Sequence, residues 1–397
     1  MGANSMIKPS LFMQKCLLLC RGVNVVPSLE EKFQQFNLSL NKGRKGGAGP
    51  AGGRYFCYND TVVNIPLYYT SLIPSFYDWT DIDTDLKCTF IDSTGQYAFD
   101  TFSLIDLPKF YNQKSSENIP FYKIGLIHSR NVFSTTVHQK CCHWETGNQC
   151  KFCGIEYSLQ SGATIEEKTG EQLIEAIEAA KQENPALVSH ITLTAGTAKN
   201  QIELIRKYSD ITSKIHTRFP KHPIHIQVDP LLKRECFEQL KNAGVSTIGI
   251  HIEILDDTIR KEICPGKSNT PYETYIKAWK LGVETFGTNN VSSFVVVGYL
   301  EQQELRKKRI RDMIQIGVIP FILPVRYIPQ NPNPVPMVDP FELYQLTYYA
   351  ASEMMKNNMD PFKNSAGCVL CGACGPILDA YSFVKSGKPP EIPESQK

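Results

Sequence analysis

From about residue 130 the chain alternates short β-branched, apolar runs with longer stretches of helical spacing, and no other feature constrains the fold as tightly. The strand-like runs fall at 132–137, 189–194, 224–228, 247–253, 291–298 and 319–326. Helical segments are expected between them at 164–183, 200–217, 231–243, 271–281 and 301–316. Strand, helix and strand in repetition imply a parallel sheet joined by right-handed crossovers. Six such strands predict an α/β fold, a partial (β/α)6 TIM-like barrel. In barrels of this kind the chemistry sits on loops leaving the C-terminal ends of the strands.

The loop leaving the first of these strands is where cysteine concentrates. Cys141, Cys142, Cys150 and Cys153 are four of the chain's 13 cysteines. A Cys-x-x-Cys pair with one further cysteine ahead of it offers three thiolates on one concave surface. Three thiolates leave one iron of a [4Fe–4S] cluster open to a substrate or cofactor. Cys141 and Cys142 are both candidates for the first ligand. Zinc is the rival, with His143 as a fourth donor; the barrel context and the unfilled fourth position weigh against it.

A second group, Cys368-x-x-Cys371-x-x-Cys374, lies near the end of the chain, with Gly367, Gly372 and Gly375 to let the backbone turn. Without an obvious second knuckle, this spacing favours iron–sulfur over zinc. Its fourth ligand could be a distant cysteine such as Cys264, a histidine or a substrate.

Composition narrows the class. A formal net charge of +2 suggests neither a nucleic acid nor an acidic polymer as partner. The basic run Arg306-Lys307-Lys308-Arg309-Ile310-Arg311 reads as a solvated helix face. The apolar residues around 10–19 are interrupted by Gln14 and Lys15, too short a stretch to span a membrane, so a short amphipathic helix is expected there. An odd, clustered cysteine count argues against a secreted disulfide framework and points to a reducing, cytoplasmic setting. Residues 1–5 read as an appended leader ahead of a start at Met6.

Three regions follow. Residues 6–125 form an N-terminal α+β extension with short strands near 61–65, 88–91 and 122–126, and Cys57 and Cys88 as buried thiols. Its glycine-rich stretch at 43–53 lacks the Gly-Lys-Ser/Thr ending of a triphosphate loop. That stretch reads either as a backbone cradle for an anion or as a surface loop. Residues 126–330 form the barrel. Residues 331–397 form a C-terminal cysteine-rich segment: a proline-rich wrap, a helix from 340 to 356, the second cysteine group and a frayed tail over the last fifteen residues.

Taken together, these motifs resemble the radical S-adenosylmethionine (SAM) family. Its usual loop is Cys-x3-Cys-x2-Cys with an aromatic before the last cysteine; here the spacing is Cys142-x7-Cys150-x2-Cys153 or Cys141-x8-Cys150-x2-Cys153. Phe152 holds the aromatic position near adenine. Thr194-Ala195-Gly196-Thr197 resembles the turn that binds the methionine amine. It lacks the acidic member, which leaves backbone carbonyls and Thr197 to serve. Gln227, His251 and Glu253, on the third and fourth strands, match polar contacts to the cofactor. Ser293 lies in a fifth-strand region similar to the one flanking adenine, and Arg326 in the loop that closes the barrel.

The resemblance implies a [4Fe–4S] cluster and S-adenosyl-L-methionine as cofactors, with a second iron–sulfur cluster on Cys368, Cys371 and Cys374. It implies reductive SAM cleavage to a 5′-deoxyadenosyl radical and hydrogen abstraction from a small-molecule substrate. The partners implied are that substrate and an electron donor such as flavodoxin or ferredoxin, with no nucleic acid and no membrane. The second cluster could relay electrons, ligate substrate or donate sulfur as in a biotin-synthase-like enzyme. A non-enzymatic zinc or iron–sulfur module is the alternative of another class. A narrower likeness, to a radical-SAM subfamily associated with nitrilase-containing biosynthetic gene clusters, rests on residues 46–50, 135–139, 158–164 and 372–374. It would place the glycine-rich loop over the barrel mouth.

Overall fold

The computed structural model describes residues 6–36, 38, 52–68, 75–328 and 330–391. Residues 1–5 and the glycine-rich loop as far as residue 51 lie outside them.

The N-terminal region is a small closed barrel. Its strands are β1 (Val23–Val25), β2 (Gly53–Tyr58), β3 (Thr61–Tyr68), β4 (Tyr77–Ile82), β5 (Lys87–Asp92) and β6 (Phe102–Leu104), in the order β1-β3-β2-β6-β5-β4. β1 lies parallel to both β3 and β4, and that pairing closes the ring. β5 shows the period-two pattern of a strand with one wet face: Cys88, Phe90 and Asp92 inward, Lys87, Thr89 and Ile91 outward. Phe56 meets Trp79 edge-on at 5.0 Å and Phe90 at 5.4 Å, filling the interior with aromatic surface. Cys88 is buried, whereas Cys57 is only partly so. The strand expected at 122–126 is instead a helical turn, Phe121–Ile124, ahead of β7 (Leu126–His128).

β7 pairs antiparallel with β8 (Val132–His138). From β8 the sheet continues, all parallel and in chain order, through β9 (His190–Ala195), β10 (Ile224–Val228), β11 (Val245–Ile250), β12 (Val291–Val297) and β13 (Val318–Pro324). Helices Gly170–Glu183, Gln201–Arg218, Arg234–Asn242, Tyr272–Phe286 and Gln303–Ile316 cover its outer face. This is an α/β partial TIM barrel. The first of these helices starts later than its apolar spacing suggests, because Thr169 and Gln172 form a reciprocal capping box.

The basic run is only half solvated. Arg306 and Arg309 are buried while Lys308 and Arg311 are exposed. Helix Gln303–Ile316 packs against helix Pro340–Lys356, so Arg306 pairs with Glu342. Arg309 donates to the Leu255 carbonyl and pairs with Asp257 at 2.5 Å.

Helix Leu11–Arg21, capped by the Ser10 hydroxyl, is covered over its length rather than amphipathic: even Gln14 and Lys15 are buried. Helices Pro340–Lys356 and Ile377–Lys385 pack on it. Phe12 stacks on Tyr344 at 4.3 Å, and Lys15 Nζ reaches Asp379 at 2.5 Å. The expected frayed tail is likewise corrected in part. Its first residues finish helix Ile377–Lys385, and the Glu391 carboxylate accepts from the Ser10 N–H at 2.8 Å and hydroxyl at 2.5 Å. Residues 392–397 lie outside the described residues. Among the described residues, no helix is long and apolar enough to cross a membrane.

Candidate active site

The cysteine loop leaves β8 and is pinned at both ends. The Gly196 N–H donates to the His138 carbonyl at 2.9 Å and the Cys142 N–H to Thr197 at 2.8 Å. Farther along, the Lys151 N–H donates to Ile263 at 2.8 Å, and Asn148 accepts from the Gly266 N–H at 2.9 Å. A side chain at 196 has no room: a Cβ there would sit 2.6 Å from the Lys140 carbonyl carbon and 3.0 Å from Cys141 Cα.

Cys141, Cys150 and Cys153 border one cavity of about 370 Å³ at the C-terminal ends of the strands. Cys142 does not border it; it begins the single helical turn Cys142–Glu145. Geometry therefore gathers Cys141, not Cys142, with the other two thiols. Cys264 is buried within hydrogen-bonding reach of Cys150. That position corrects its candidacy for the second group, since it stands beside the first.

Burial raises the Cys141 thiol and pushes Cys153 up to about 12; Cys150 is raised first by its hydrogen bond with Cys264 and then by burial. Metal must displace these protons, so loading is favoured at higher pH. Three thiols on one cavity wall fit a [4Fe–4S] cluster with one iron left open. Among the described residues no three Cys, His, Asp or Glu side chains gather around a point that would hold a single metal ion.

Around the thiols stand groups from successive strand ends. Phe152, Thr194, Ala195, Gly196, Thr197, Gln227, His251, Glu253 and Arg326 all border the cavity. Thr197 Oγ1 donates to Asp229 Oδ1 at 3.3 Å, and Gln201 Nε2 donates to Asp229 Oδ2 at 3.2 Å. Asp229 thus places a carboxylate beside the turn at 194–197, on the same cavity.

Glu253 adopts φ 59°, a left-handed backbone uncommon outside glycine, held by its N–H to Phe294 at 3.0 Å and its carbonyl from Val296 at 2.8 Å. Its carboxylate pairs with Lys267 Nζ at 2.6 Å. Burial pushes the Glu253 carboxyl up, with Lys267 opposing; burial pulls Lys267 down, but Glu253 and Asp229 outweigh it and keep the ammonium charged. Arg326 turns from the cavity mouth to the Asn64 side-chain and backbone oxygens, tying the small barrel to the large one.

Ser293 is not at the cavity. It is fully buried, and its hydroxyl accepts from the Ile252 N–H at 3.1 Å. Its neighbour Phe294 faces inward instead, stacked on His251 at 3.7 Å. Sequence reasoning also missed Asp229 and Lys267. Asp229 directly follows a strand, a position the barrel rule marks; Lys267 carries no such signal.

The second cysteine group enters the lower half of the same interior. Cys368 and Cys374 border the main cavity, and Gln227 Nε2 donates to Cys368 Sγ at 3.6 Å. Cys371 faces a separate cavity with Lys15 and Asp379. The segment is fastened by Thr247 Oγ1 to the Ala366 carbonyl at 3.1 Å and by the Asn64 N–H to the Ala373 carbonyl at 2.8 Å. Burial raises Cys368 well above its ordinary value, and raises Cys371 to about 12.

A family model described as the radical SAM superfamily matches residues 137–310. Curated relatives include 5-amino-6-(D-ribitylamino)uracil–L-tyrosine 4-hydroxyphenyl transferase 2 of Methanosarcina barkeri, 26% identical over 267 residues, 63% of this chain and 62% of the relative. Transferase 1 of the same organism is 30% identical over 145 residues, 32% of this chain and 37% of the relative. The chain thus matches about three-fifths or less of these relatives' length. Among solved structures, the FeFe-hydrogenase maturase HydG from Carboxydothermus hydrogenoformans aligns with TM-score 0.45 and 14% identity, over 57% of this chain and 52% of that one. The matched segment runs from β8 into the helix after β12 with the three thiols near its head, and the match supports an enzyme of the radical SAM class.

Proposed function

We propose that this enzyme generates a 5′-deoxyadenosyl radical from S-adenosylmethionine and uses it to take hydrogen from a small molecule inside the half-barrel. The observation that carries this reading is the convergence of Cys141, Cys150 and Cys153 on one cavity whose rim presents Asp229, Glu253 and Lys267. Cys141, Cys150 and Cys153 would hold a [4Fe–4S] cluster, which would supply the electron for reductive cleavage of the sulfur–carbon bond of SAM. Asp229 and Glu253 offer carboxylates to the methionine amine, and Lys267 offers a cation to the methionine carboxylate. Phe152 borders the adenine position. Phe294, Phe321 and Leu323 wall the interior against water, which keeps a reactive radical from meeting anything but its substrate.

Cys368, Cys371 and Cys374 would hold a second iron–sulfur cluster, and a small electron-carrier protein such as flavodoxin or ferredoxin would supply reductant. The clustered thiols suit a cytoplasmic setting. The relatives are named as 4-hydroxyphenyl transferases of L-tyrosine and a ribitylaminouracil, so a group transfer between small molecules is the nearest reading of the net reaction. The subfamily associated with nitrilase-containing gene clusters remains our finer placement, on the motifs given above. One observation favours a second reading. Cys368 and Cys374 share the cavity of the first group, so a second cluster would meet the substrate directly, as sulfur insertion requires.

The test is anaerobic reconstitution, reduction with dithionite and assay for 5′-deoxyadenosine. About eight irons and eight sulfides per chain are expected for two cubane clusters. A cluster-bearing protein that yields no 5′-deoxyadenosine would overturn the reading.

A further inference from the structure

Cys264 has no part in the chemistry proposed above, yet it lies against a thiol that does. The segments 148–151 and 263–266 run antiparallel past each other. The Lys151 N–H donates to the Ile263 carbonyl at 2.8 Å, and the Gly266 N–H donates to the Asn148 carbonyl at 2.9 Å. One residue in from the first of these bonds, Cys150 stands level with Cys264. Pro265, which has no N–H, adds no bond between them. Residues level with each other in an antiparallel pairing are about 4.5–5.5 Å apart at Cα, and a disulfide spans about 4.4–6.8 Å. The side chains meet as the backbone implies, since the two thiols are within hydrogen-bonding reach. Neither is in a disulfide.

Access to this pair is one-sided. Cys150 borders the main cavity, whereas Cys264 is fully buried and does not. A small molecule in the cavity meets Cys150 first and Cys264 only through it. A reacting thiol backed by a second, sheltered thiol is the arrangement in which the second resolves the oxidised state of the first.

We infer that in the cluster-free protein Cys150 and Cys264 close a reversible disulfide when a peroxide enters the cavity, so that Cys264 is the resolving thiol for a cluster ligand. Cys150 Sγ attacks one peroxide oxygen: an S–O bond forms, the O–O bond breaks, one water leaves and a sulfenic acid remains. Cys264 Sγ then attacks Cys150 Sγ: the S–S bond forms, the S–O bond breaks, and a second water leaves with the thiol's proton. The two thiols give up two electrons, and hydrogen peroxide is reduced to two waters. Without Cys264 the sulfenic acid goes on to sulfinic acid, which thiol reductants do not reverse. The hydrogen bond with Cys264 and burial hold the Cys150 thiol protonated, so closure is slow. The disulfide itself stands apart from the enzymatic reading; only the naming of Cys150 as a cluster ligand rests on it.

Anaerobically purified apoprotein, treated with hydrogen peroxide and mapped by tandem mass spectrometry of its non-reduced peptides, tests the inference. The expected product is a Cys150–Cys264 link that dithiothreitol reverses. Iron uptake after that reduction is the second readout. The unaltered protein should regain nearly all of its uptake, and Cys264→Ala only part of it, with sulfinic acid at Cys150. Cys264→Ser, whose hydroxyl cannot form the bond, should behave like Cys264→Ala. Without peroxide both variants should load iron as the unaltered protein does, which shows that they fold and that Cys264 is no ligand. A link from Cys150 to Cys141 or Cys153 instead, no link at Cys264, equal recovery in variants and unaltered protein, or poor loading of both untreated variants would overturn the inference. Formation of 5′-deoxyadenosine by a protein that never forms the link removes this inference alone. The link in a protein that never cleaves SAM removes the enzymatic reading and leaves the disulfide standing.

Discussion

Gly196→Ala is the most informative single change, because the barrel and the cysteine loop touch through that one Cα. The added methyl would meet the Lys140 carbonyl carbon at 2.6 Å and Cys141 Cα at 3.0 Å, and still more tightly the Lys140 oxygen. These are backbone atoms, which cannot swing aside like the tip of a side chain. Reaching ordinary contact distances of about 3.5–4.0 Å requires a displacement of roughly 1 Å. Cys141 moves with it. Cys150 and Cys153 stay, since their part of the loop is fastened separately to Ile263 and Gly266. Overpacking of this kind costs about 1–3 kcal/mol, and a 1 Å misplacement of a reacting group can cost on the order of a hundred-fold in rate. Iron and sulfide content after anaerobic reconstitution and the initial rate of 5′-deoxyadenosine release are the readouts. Circular dichroism confirms the fold. The expected variant is folded, short of iron at the first site and about a hundred-fold slower. Gly147→Ala is the control. It lies in the same loop at φ 71° with nothing within 4 Å, so it adds backbone strain without moving a thiol. A Gly196→Ala protein with full iron and an unchanged rate would refute the account of how the loop is placed.

Other consequences can be checked as directly. Cys141→Ala should lose the iron of the first site while Cys142→Ala keeps most of it; equal loss in both would contradict the geometry. Lys15→Met strands the largely buried Asp379 carboxylate, which also accepts from Thr61 at 2.6 Å. It should destabilise the fold by about 3–5 kcal/mol, the usual result of breaking a buried pair, measured by denaturant unfolding. Burial holds His190 down at about 4 and His225 at about 3, against an ordinary 6.5. The unfolded chain takes up these protons as pH falls past 6.5 and the folded chain does not until near 4. Stability is therefore complete above 6.5 and declines across that window, by about 3 kcal/mol for His190 alone. Tm should fall on acidification, and less steeply in His190→Asn; parallel slopes in the two proteins would count against it.

The large barrel was legible because its strands and helices each carry their own period. The small one was not. β1 has three residues, and the pairings that close the ring join it to β3 and β4 across long stretches of chain. β3 is buried at seven of its eight positions, so it shows no alternation to read. The same blindness explains Ser293. β12 is covered on both faces, and a run such as Val291-Ser292-Ser293-Phe294-Val295 does not say which parity points inward; a slip of one residue exchanges the faces. The cysteines announced themselves by spacing. Lys267 could not, because it reaches the site from a short turn at Pro265–Lys267, after a helix rather than at a strand end.

Helix Leu11–Arg21 has a consequence for the order of assembly. Its Lys15 meets Asp379, 364 positions away. At ribosomal rates of about 5–20 residues per second, the helix waits roughly 20–70 s for its partner. Throughout that interval Phe12 lacks Tyr344 and Phe383, the rings that cover it, and only the side of the helix toward β3 can already pack. Synthesis thus leaves a window in which nascent chains need shelter, and it closes only when helix Ile377–Lys385, among the last parts of the chain to be made, docks.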